Sequence, residues 1–217
     1  MKSEQKKYDL HIHSKYSACS NSPVIEILKR AKKSGLNGIA ITDHNKIKGA
    51  VEAKKLNKDR DFEVIVGSEI KTDNGEILAY YLNKEIKPGK FEEVVEKARE
   101  QGALVAIAHP YAEIRKRLRR PFKSKVDAVE CFNQRMLFNI NNIKARQLAE
   151  KLKVAKIAGS DSHFIFEIGN TYTIFDEDLR KAVLTRKTAF KGVSFLGLLG
   201  TSKSILKKRV LDKFKSK

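Results

Sequence analysis

The sequence predicts an α/β fold in which parallel strands and helices alternate to form a small, irregular barrel. Short apolar segments with strand character alternate with amphipathic helical segments through most of the 217 residues, and this alternation is typical of parallel strands joined by helical crossovers. About seven such units in about 200 residues favour a barrel over the alternative, an open doubly wound sheet. The chain has no internal repeat and no convincing linker, so we predict a single domain over residues 1–217.

The individual elements are predicted from apolar periodicity and from residues that begin or end helices. In the first helix, Ile27, Leu28 and Ala31 have helical spacing, Pro23 stands in the first turn and Gly35 at the exit. The predicted strands cover residues 8–13, 38–42, 63–66, 77–82, 103–108, 128–132, 156–158 and 171–175. The predicted helices cover residues 24–34, 46–57, 91–101, 140–152 and 177–186.

The composition indicates a soluble, cytoplasmic protein with an affinity for anions. The formal net charge of +19 attracts phosphates, nucleic acid or an anionic surface, although lysine-rich chains also occur in proteins from hot environments. Cys19 and Cys131 cannot make a disulfide framework, so a reducing compartment is expected. The polar N-terminus lacks the apolar stretch of a secretory signal, and no segment approaches the length of a transmembrane span.

All five histidines lie where a predicted strand gives way to a loop, and they are His11, His13, His44, His109 and His163. In parallel α/β folds the C-terminal ends of the strands are where sites are built. One histidine alone is most often a half-buried polar residue, but such residues would also fall on helices. Because His11 and His13 are two apart on a strand, both rings point to one face. The pattern therefore predicts a metal site.

Acidic residues accompany these histidines at the strand ends. Glu69 ends the third predicted strand, and Asp161 lies two residues before His163. A carboxylate at either position can bridge two cations and offset their charge. Asp43 directly precedes His44, where it either orients a metal ligand as a hydrogen-bond acceptor or caps the strand end.

Glu130 and Cys19 are weaker candidates for metal ligands. Glu130 lies on an apolar strand, where an ionised carboxylate needs a metal ion or an arginine nearby. Cys19 follows the first pair of histidines, and a small buried thiol explains it as well as coordination does.

Five short motifs occur in order over residues 8–163: Asp9-Leu10-His11-Ile12-His13-Ser14, Thr42-Asp43-His44-Asn45, Gly67-Ser68-Glu69, His109-Pro110 and Gly159-Ser160-Asp161-Ser162-His163. This ordered set resembles the PHP (polymerase and histidinol phosphatase) family of metal-dependent phosphoesterases. The resemblance implies a distorted (β/α)7 barrel. It also implies two or three divalent metal ions at the C-terminal face of that barrel, and the ligands suit zinc, manganese or iron.

The resemblance also implies how the ligands divide among the ions. It assigns His11, His13, Glu69 and Asp161 to the first ion, Glu69 and His109 to the second, and His44 and His163 to the third. Two positions depart from the family pattern. Cys19 stands where many members have an acidic residue or a histidine, and Glu130 stands where some members have a histidine.

The reaction expected from this site is attack of a metal-activated water on phosphorus. His163 and Asp43 are candidates for protonating the leaving group, and Asp161 is a catalytic candidate as well as a ligand. Arg135 and Asn133 follow a strand end, where a guanidinium can fork onto a phosphate. We therefore predict these two residues to bind substrate.

Two basic segments are relevant to which kind of substrate the protein binds. Residues 115–125 follow His109 closely, and residues 203–217 belong to a basic amphipathic helical segment, 194–217, that packs on the barrel or extends from it. Each segment is either a solvated run of charge or a binding surface for nucleic-acid phosphates. A membrane-surface or partner-binding helix is a third interpretation for the tail.

The leading functional prediction is hydrolysis of a phosphate ester of a small metabolite or nucleotide. A nuclease or phosphodiesterase that acts on nucleic-acid ends is the alternative. A non-catalytic RNA- or protein-binding subunit is a third hypothesis, against which the intact ligand set argues. The sequence leaves the oligomeric state open.

Overall fold

The computed structural model describes residues 5–112, 118, 122–123, 125–136 and 138–193 of the chain. The strands are β1 (Lys6–Ile12), β2 (Gly38–Ile41), β3 (Glu63–Thr72), β4 (Gly75–Tyr80), β5 (Leu104–Ile107), β6 (Ala128–Asn133), β7 (Ala155–Gly159), β8 (Thr171–Phe175) and β9 (Ala189–Gly192). The helices are α1 (Val24–Lys33), α2 (Lys48–Leu56), α3 (Phe91–Glu100), α4 (Asn139–Leu152) and α5 (Leu179–Leu184), and a single helical turn covers Ile165–Glu167.

The described strands form one sheet in the order β7-β6-β5-β4-β3-β2-β1-β8-β9. The sheet curves into a nearly closed barrel, which confirms the predicted α/β barrel class. It differs from the prediction in having nine strands rather than seven, and four of the eight pairings between described strands are antiparallel. One reversal has a local cause: β3 and β4 are joined by a tight hairpin at Asp73 and Asn74, and Gly75, the next residue, has a positive φ of 93° that glycine adopts readily.

The barrel closes where the end of β7 meets the end of β1. The N–H of His13 donates to the carbonyl of Ser162 at 2.9 Å, and the N–H of Ser162 donates to the carbonyl of His11 at 3.3 Å. This approach requires Gly159, because a Cβ atom there would lie 2.4 Å from the Cβ of His11. The seam therefore brings the last histidine motif of the sequence against the first.

Three apolar clusters bury both faces of the sheet. The first fills the barrel with side chains such as Leu10, Leu78 and Ile157. The second packs α1 and α2 against β1–β3, and the third packs α3 and α4 against β3–β6. Each fully buried large side chain contributes about 1.5–3 kcal/mol to the free energy of folding. Helices α1–α4 therefore cover the outside of the barrel, whereas apolar residues of α5, such as Leu179, join the cluster inside it.

Most predicted elements appear within a few residues of their predicted bounds, but β9 was missed. This short edge strand is half exposed and pairs with β8, so it has little apolar pattern. The predicted helical segment 194–217 with its basic stretch 203–217 lies outside the described residues, as does most of the basic segment 115–125. Within the described parts of the chain, no helix is long and apolar enough to cross a membrane.

Replacing Gly159 with alanine should destabilise the protein by about 1–3 kcal/mol, the usual effect of an extra group in a packed core. The new methyl would overlap His11 and force β7 away from β1. Urea unfolding measures the change in the free energy of unfolding. Gly89→Ala is a matched control, because a Cβ there has its nearest neighbour at 3.7 Å. Equal stability of the two variants would contradict the tight seam.

Candidate metal centre

The five histidines come together at one end of the barrel. The ring centroid of His13 lies 4.6 Å from those of His44 and His163 and 5.1 Å from that of His11, which in turn lies 5.7 Å from that of His109. Four of these side chains are at most 6% exposed, whereas that of His44 is 26% exposed. The cluster is thus buried on most sides and opens to solvent beside His44.

The carboxylate of Glu69 lies in the middle of the cluster. Its Oε1 is 2.7 Å from Nε2 of His109. Its Oε2 is 2.8 Å from Nδ1 of His44, 3.3 Å from Nε2 of His13 and 3.6 Å from Nε2 of His11. The Glu69 side chain is completely buried, which is unfavourable for a carboxylate unless cations or hydrogen-bond donors surround it. Here four imidazoles face it.

Asp161 lies against the same histidines from the loop after β7. Its Oδ1 is 3.1 Å from Nε2 of His13 and 3.6 Å from Nε2 of His11, and its backbone carbonyl accepts a hydrogen bond from Nδ1 of His163 at 2.7 Å. Asp161 has a φ of 50° and His109 a φ of 22°. Non-glycine residues with positive φ cost free energy and cluster at functional sites. The surrounding structure therefore holds two residues of the cluster in unfavourable backbone conformations.

Hydrogen bonds fix which nitrogen two of the histidines present to the cluster. Nδ1 of His11 is 2.8 Å from Oε1 of Glu130, and Nδ1 of His13 is 3.2 Å from Oγ of Ser17. An acceptor at Nδ1 keeps the proton there and leaves the Nε2 lone pair available for a metal. The two Nε2 atoms lie 3.2 Å apart, so two lone pairs converge on one point.

The electrostatics of the cluster favours positive charge. Burial lowers the pKa of His11, but the carboxylates of Glu130, Asp161 and Glu69 outweigh burial and hold that pKa well above its usual value. For His13 as well, burial lowers the pKa, but hydrogen bonds to Asp161 and Glu69 and the charge of these two carboxylates outweigh burial and raise that pKa above its usual value. A divalent cation could replace the protons that these imidazoles attract.

Four groups of described residues each bring three ligand atoms within 4.8 Å of one another: His13, His44 and His163; His11, His109 and Glu130; His11, His13 and Glu69; and His44, Glu69 and Glu76. Nitrogen and oxygen donors in this mixture suit zinc, manganese and iron, so the residues present fit divalent metal ions. The predicted ligand Cys19 is half-buried and belongs to none of the four groups, because the loop after β1 instead turns Ser17 toward the histidines.

Glu130 and Asn133, predicted as a ligand and a substrate-binding residue, contact the outer side of the cluster. Besides His11, Glu130 accepts hydrogen bonds from the N–H of His109 at 2.8 Å and from Nδ2 of Asn133 at 3.1 Å. The same Nδ2 donates to Oδ2 of Asp161 at 3.2 Å. These contacts connect both residues to the candidate ligands, and Glu130 itself belongs to one of the four groups.

Arg135, predicted to bind substrate, makes a buried ion pair instead. Its Nη1 donates to Oε1 of Glu167 at 2.7 Å, and both side chains are at most 7% exposed. The other oxygen of Glu167 accepts the N–H of His163 at 2.8 Å. The contacts of Arg135 therefore favour holding the loop after β7 over binding a phosphate.

Asp43, predicted to be catalytic or to orient a ligand, is fully buried. Its Oδ1 accepts the N–H of Ser14 and the O–H of Ser17, each at 2.7 Å, and its Oδ2 accepts the O–H of Ser14 at 2.6 Å. Both oxygens thus have hydrogen-bond donors, and Asp43 reaches His13 through Ser17. This arrangement favours the orienting role over proton donation.

Glu76 belongs to the cluster but was not predicted. Its Oε2 lies 3.7 Å from Nε2 of His109, and it forms one of the ligand groups with His44 and Glu69. Because β4 runs antiparallel to β3, its first residues rather than its last lie at this end of the barrel. Asn74-Gly75 is a strong hairpin signal and could have revealed the reversal.

Comparisons with known proteins agree with this geometry. The PHP domain matches residues 9–109, and the PHP-associated family matches residues 139–186. An uncharacterized protein of Methanocaldococcus jannaschii is 44% identical over 159 residues, which are 67% of this chain and 93% of that protein. The chain belongs to the PHP family. The family resemblance predicted from the five motifs is thereby confirmed.

Other PHP-related proteins share the fold or part of the sequence. A two-domain protein of Bacteroides vulgatus that contains a predicted PHP-like metal-dependent phosphoesterase superimposes with a TM-score of 0.71, at 20% identity, over 88% of this chain and 66% of that one. This likeness shows the fold. A 5'-3' exoribonuclease of Haemophilus influenzae is 44% identical over 68 residues, which are 31% of this PHP chain and 24% of that protein.

Replacing Glu69 with glutamine should lower the affinity for zinc or manganese by at least about 10-fold, because the amide offers one neutral oxygen where the carboxylate offers two charged ones. Metal titration with a competing chelator measures the affinity. Glu63→Gln is the matched control, since Glu63 lies on the same strand away from the cluster and accepts a hydrogen bond from Tyr8 at 2.8 Å. Equal affinities in the two variants would contradict a metal site at Glu69.

Proposed function

We propose that this PHP protein is a metal-dependent hydrolase of phosphate esters. The observation that carries the proposal is the position of Glu69, whose Oε1 faces His109 while its Oε2 faces His11, His13 and His44. Nitrogen donors therefore stand on both sides of one buried carboxylate. A carboxylate in this position can bridge two cations, and paired cations are suited to displacement at phosphorus.

The contacts support two resident ions, the first bound by His11, His13, Asp161 and Glu69 and the second by Glu69, His109 and Glu76. When bound, the ions would lower the pKa of a bound water and neutralise charge that develops on the phosphoryl group. The three carboxylates in these two sets are buried, and their negative charge would offset that of the bound ions. Two ions is the smaller of the two predicted numbers.

In this assignment His44 and His163 bind neither ion, so both are available to contact the substrate. Nδ1 of His163 is held by the carbonyl of Asp161, so Nε2 is the nitrogen available for proton transfer to the leaving oxygen. Nδ1 of His44 faces Glu69, and its ring is partly exposed at the open side of the cluster, where Nε2 can hydrogen-bond a phosphoryl oxygen. Asp43 takes no part in proton transfer, because both of its oxygens already accept hydrogen bonds.

The proposed substrate is a small phosphorylated metabolite or a nucleotide. The net charge of +19 favours anionic ligands and speeds their encounter with the protein. The basic segment 115–125 also begins shortly after His109, whose ring lies in the cluster. Positive charge is therefore concentrated in the sequence close to the proposed site.

A second candidate function is cleavage of nucleic-acid ends by the same residues. The specific observation in its favour is the local identity of 44% to the 5'-3' exoribonuclease of Haemophilus influenzae. A binding-only role is less well supported, because buried histidines and carboxylates at this density are costly to keep without a cation.

Replacing His11 with alanine should reduce turnover of a phosphomonoester by at least about 100-fold, because a ligand of the proposed first ion is lost. The wild-type protein should hold two ions per chain by elemental analysis, and the variant fewer. Glu63→Gln serves again as the control with an intact cluster. An unchanged rate in the variant would contradict the proposed function, and three tightly bound ions in the wild type would contradict the assignment of two.

A substrate screen separates the two candidate functions. Phosphomonoesters, phosphodiesters and short oligonucleotides are incubated with protein reconstituted separately with zinc, manganese or iron. Small phosphomonoesters should be hydrolysed faster than oligonucleotides, with a weak dependence on salt. Oligonucleotide cleavage whose affinity falls steeply with rising salt would instead support the nuclease, since many phosphate contacts release many counterions.

A further inference from the structure

We propose that Ser17, held by Asp43, is a positioning residue that fixes the proton of His13 on Nδ1 and so presents Nε2 to the metal. The inference rests on the proposed metal-dependent function and deepens it, because it names a residue pair that determines metal affinity without touching the metal. In the sequence, Asp43 directly precedes His44. The structure connects it with His13, through a serine that no motif singled out.

Three hydrogen bonds meet at the hydroxyl of Ser17. Its Oγ lies 2.7 Å from Oδ1 of Asp43, 3.2 Å from Nδ1 of His13 and 3.0 Å from the backbone nitrogen of His44. All of these groups except the His44 side chain are buried, and Ser17 itself is 2% exposed. Water therefore does not compete for these bonds.

The direction of each bond follows from the number of protons available. A serine hydroxyl has one proton to donate and two lone pairs that accept. An ionised carboxylate only accepts, and hydrogen bonds to a charged group are the stronger ones, so the proton of Ser17 points to Asp43. The backbone N–H of His44 can only donate. The second lone pair of Ser17 must then receive a proton from His13, and that proton is on Nδ1.

The position of Asp43 is itself tightly defined. Ser14 donates to it twice, from its N–H and from its O–H. Helix α2 approaches so closely at Gly49 that a Cβ atom there would lie 2.2 Å from Oδ2 of Asp43 and 2.4 Å from Oγ of Ser14. The carboxylate is therefore held between the loop after β1 and the first turn of α2, and it cannot turn away from Ser17.

His11 is oriented in the same way as His13, but by a direct hydrogen bond to a carboxylate. Glu130 accepts directly from Nδ1 of His11 at 2.8 Å, whereas for His13 a serine stands between the carboxylate and the ring. Both arrangements keep a proton on Nδ1 and point Nε2 into the cluster, where the two Nε2 atoms converge at 3.2 Å. Ser17 and Asp43 thus do for His13 what Glu130 does for His11.

The test compares Ser17→Ala and Asp43→Asn with Ser20→Ala. Ser20 lies in the same loop and is equally buried, but its hydroxyl donates to the backbone carbonyls of His13 and His163. The Ser20→Ala variant therefore loses a hydrogen bond within the loop while the hydrogen bonds of the imidazole rings stay the same. In Asp43→Asn, the oxygen that accepts from the N–H of Ser14 also faces Ser17, so Ser17 keeps a neutral acceptor, which holds its proton more weakly than the carboxylate does.

Zinc affinity, measured by chelator competition, should fall by about 10- to 100-fold in Ser17→Ala, fall by less in Asp43→Asn and stay near the wild-type value in Ser20→Ala. In the zinc-loaded protein, the Nδ1–H proton of His13 should give a slowly exchanging signal in nitrogen-15 NMR spectra of the wild type and of Ser20→Ala. The signal should exchange rapidly in Ser17→Ala and at an intermediate rate in Asp43→Asn. Circular dichroism confirms that each variant is folded.

Wild-type zinc affinity and a protected Nδ1–H in folded Ser17→Ala would overturn the proposal. An equal loss of affinity in Ser20→Ala would also overturn it, because the effect would then belong to the loop as a whole. Neither readout depends on turnover, so a wild-type protein that binds zinc but hydrolyses no phosphate ester would contradict the proposed function and leave this test intact.

Discussion

Glu69 is a fully buried carboxylate whose two oxygens face four imidazoles, and the other contacts of the site are arranged around it. Burial of such a charge costs several kcal/mol unless donors or cations surround it. The fold supplies the surroundings at the point where β3 stops following β2 and pairs with β4. The parallel and antiparallel parts of the barrel therefore meet at this carboxylate, and each contributes side chains to it.

The residues of the candidate site could be predicted better than their contacts. A histidine or carboxylate at a strand end is recognisable because strand direction alone brings such positions to one edge, as for His109 and Asp161. The side chains behind them were harder to assign. Whether Arg135 faces a phosphate or pairs with Glu167 depends on packing between two loops, and whether Ser17 or Cys19 faces the histidines depends on how one loop turns.

The fold class was likewise predictable where the hydrophobic pattern is strong, and not where the chain reverses direction. Alternation of strands and helices predicts parallel neighbours, and the pairings of β1–β3 and β5–β7 follow it. The hairpin at Asp73-Asn74 has no crossover helix, so β4 runs the other way and its first residues join the site. Glu76 was missed for this reason, and β9 because a half-exposed edge strand has too few apolar residues to form a pattern.

The seam between β1 and β7 has a consequence for how the protein is made. His11 and His13 leave the ribosome before Asp161, which lies within 3.6 Å of both rings and is synthesised about 150 residues later. Until the chain has grown past β7 and the seam has closed, the first two histidines lack their carboxylate neighbours from the far end of the barrel. Under the proposed ligand assignment, the ligand set of the first ion is therefore complete only after the barrel has closed.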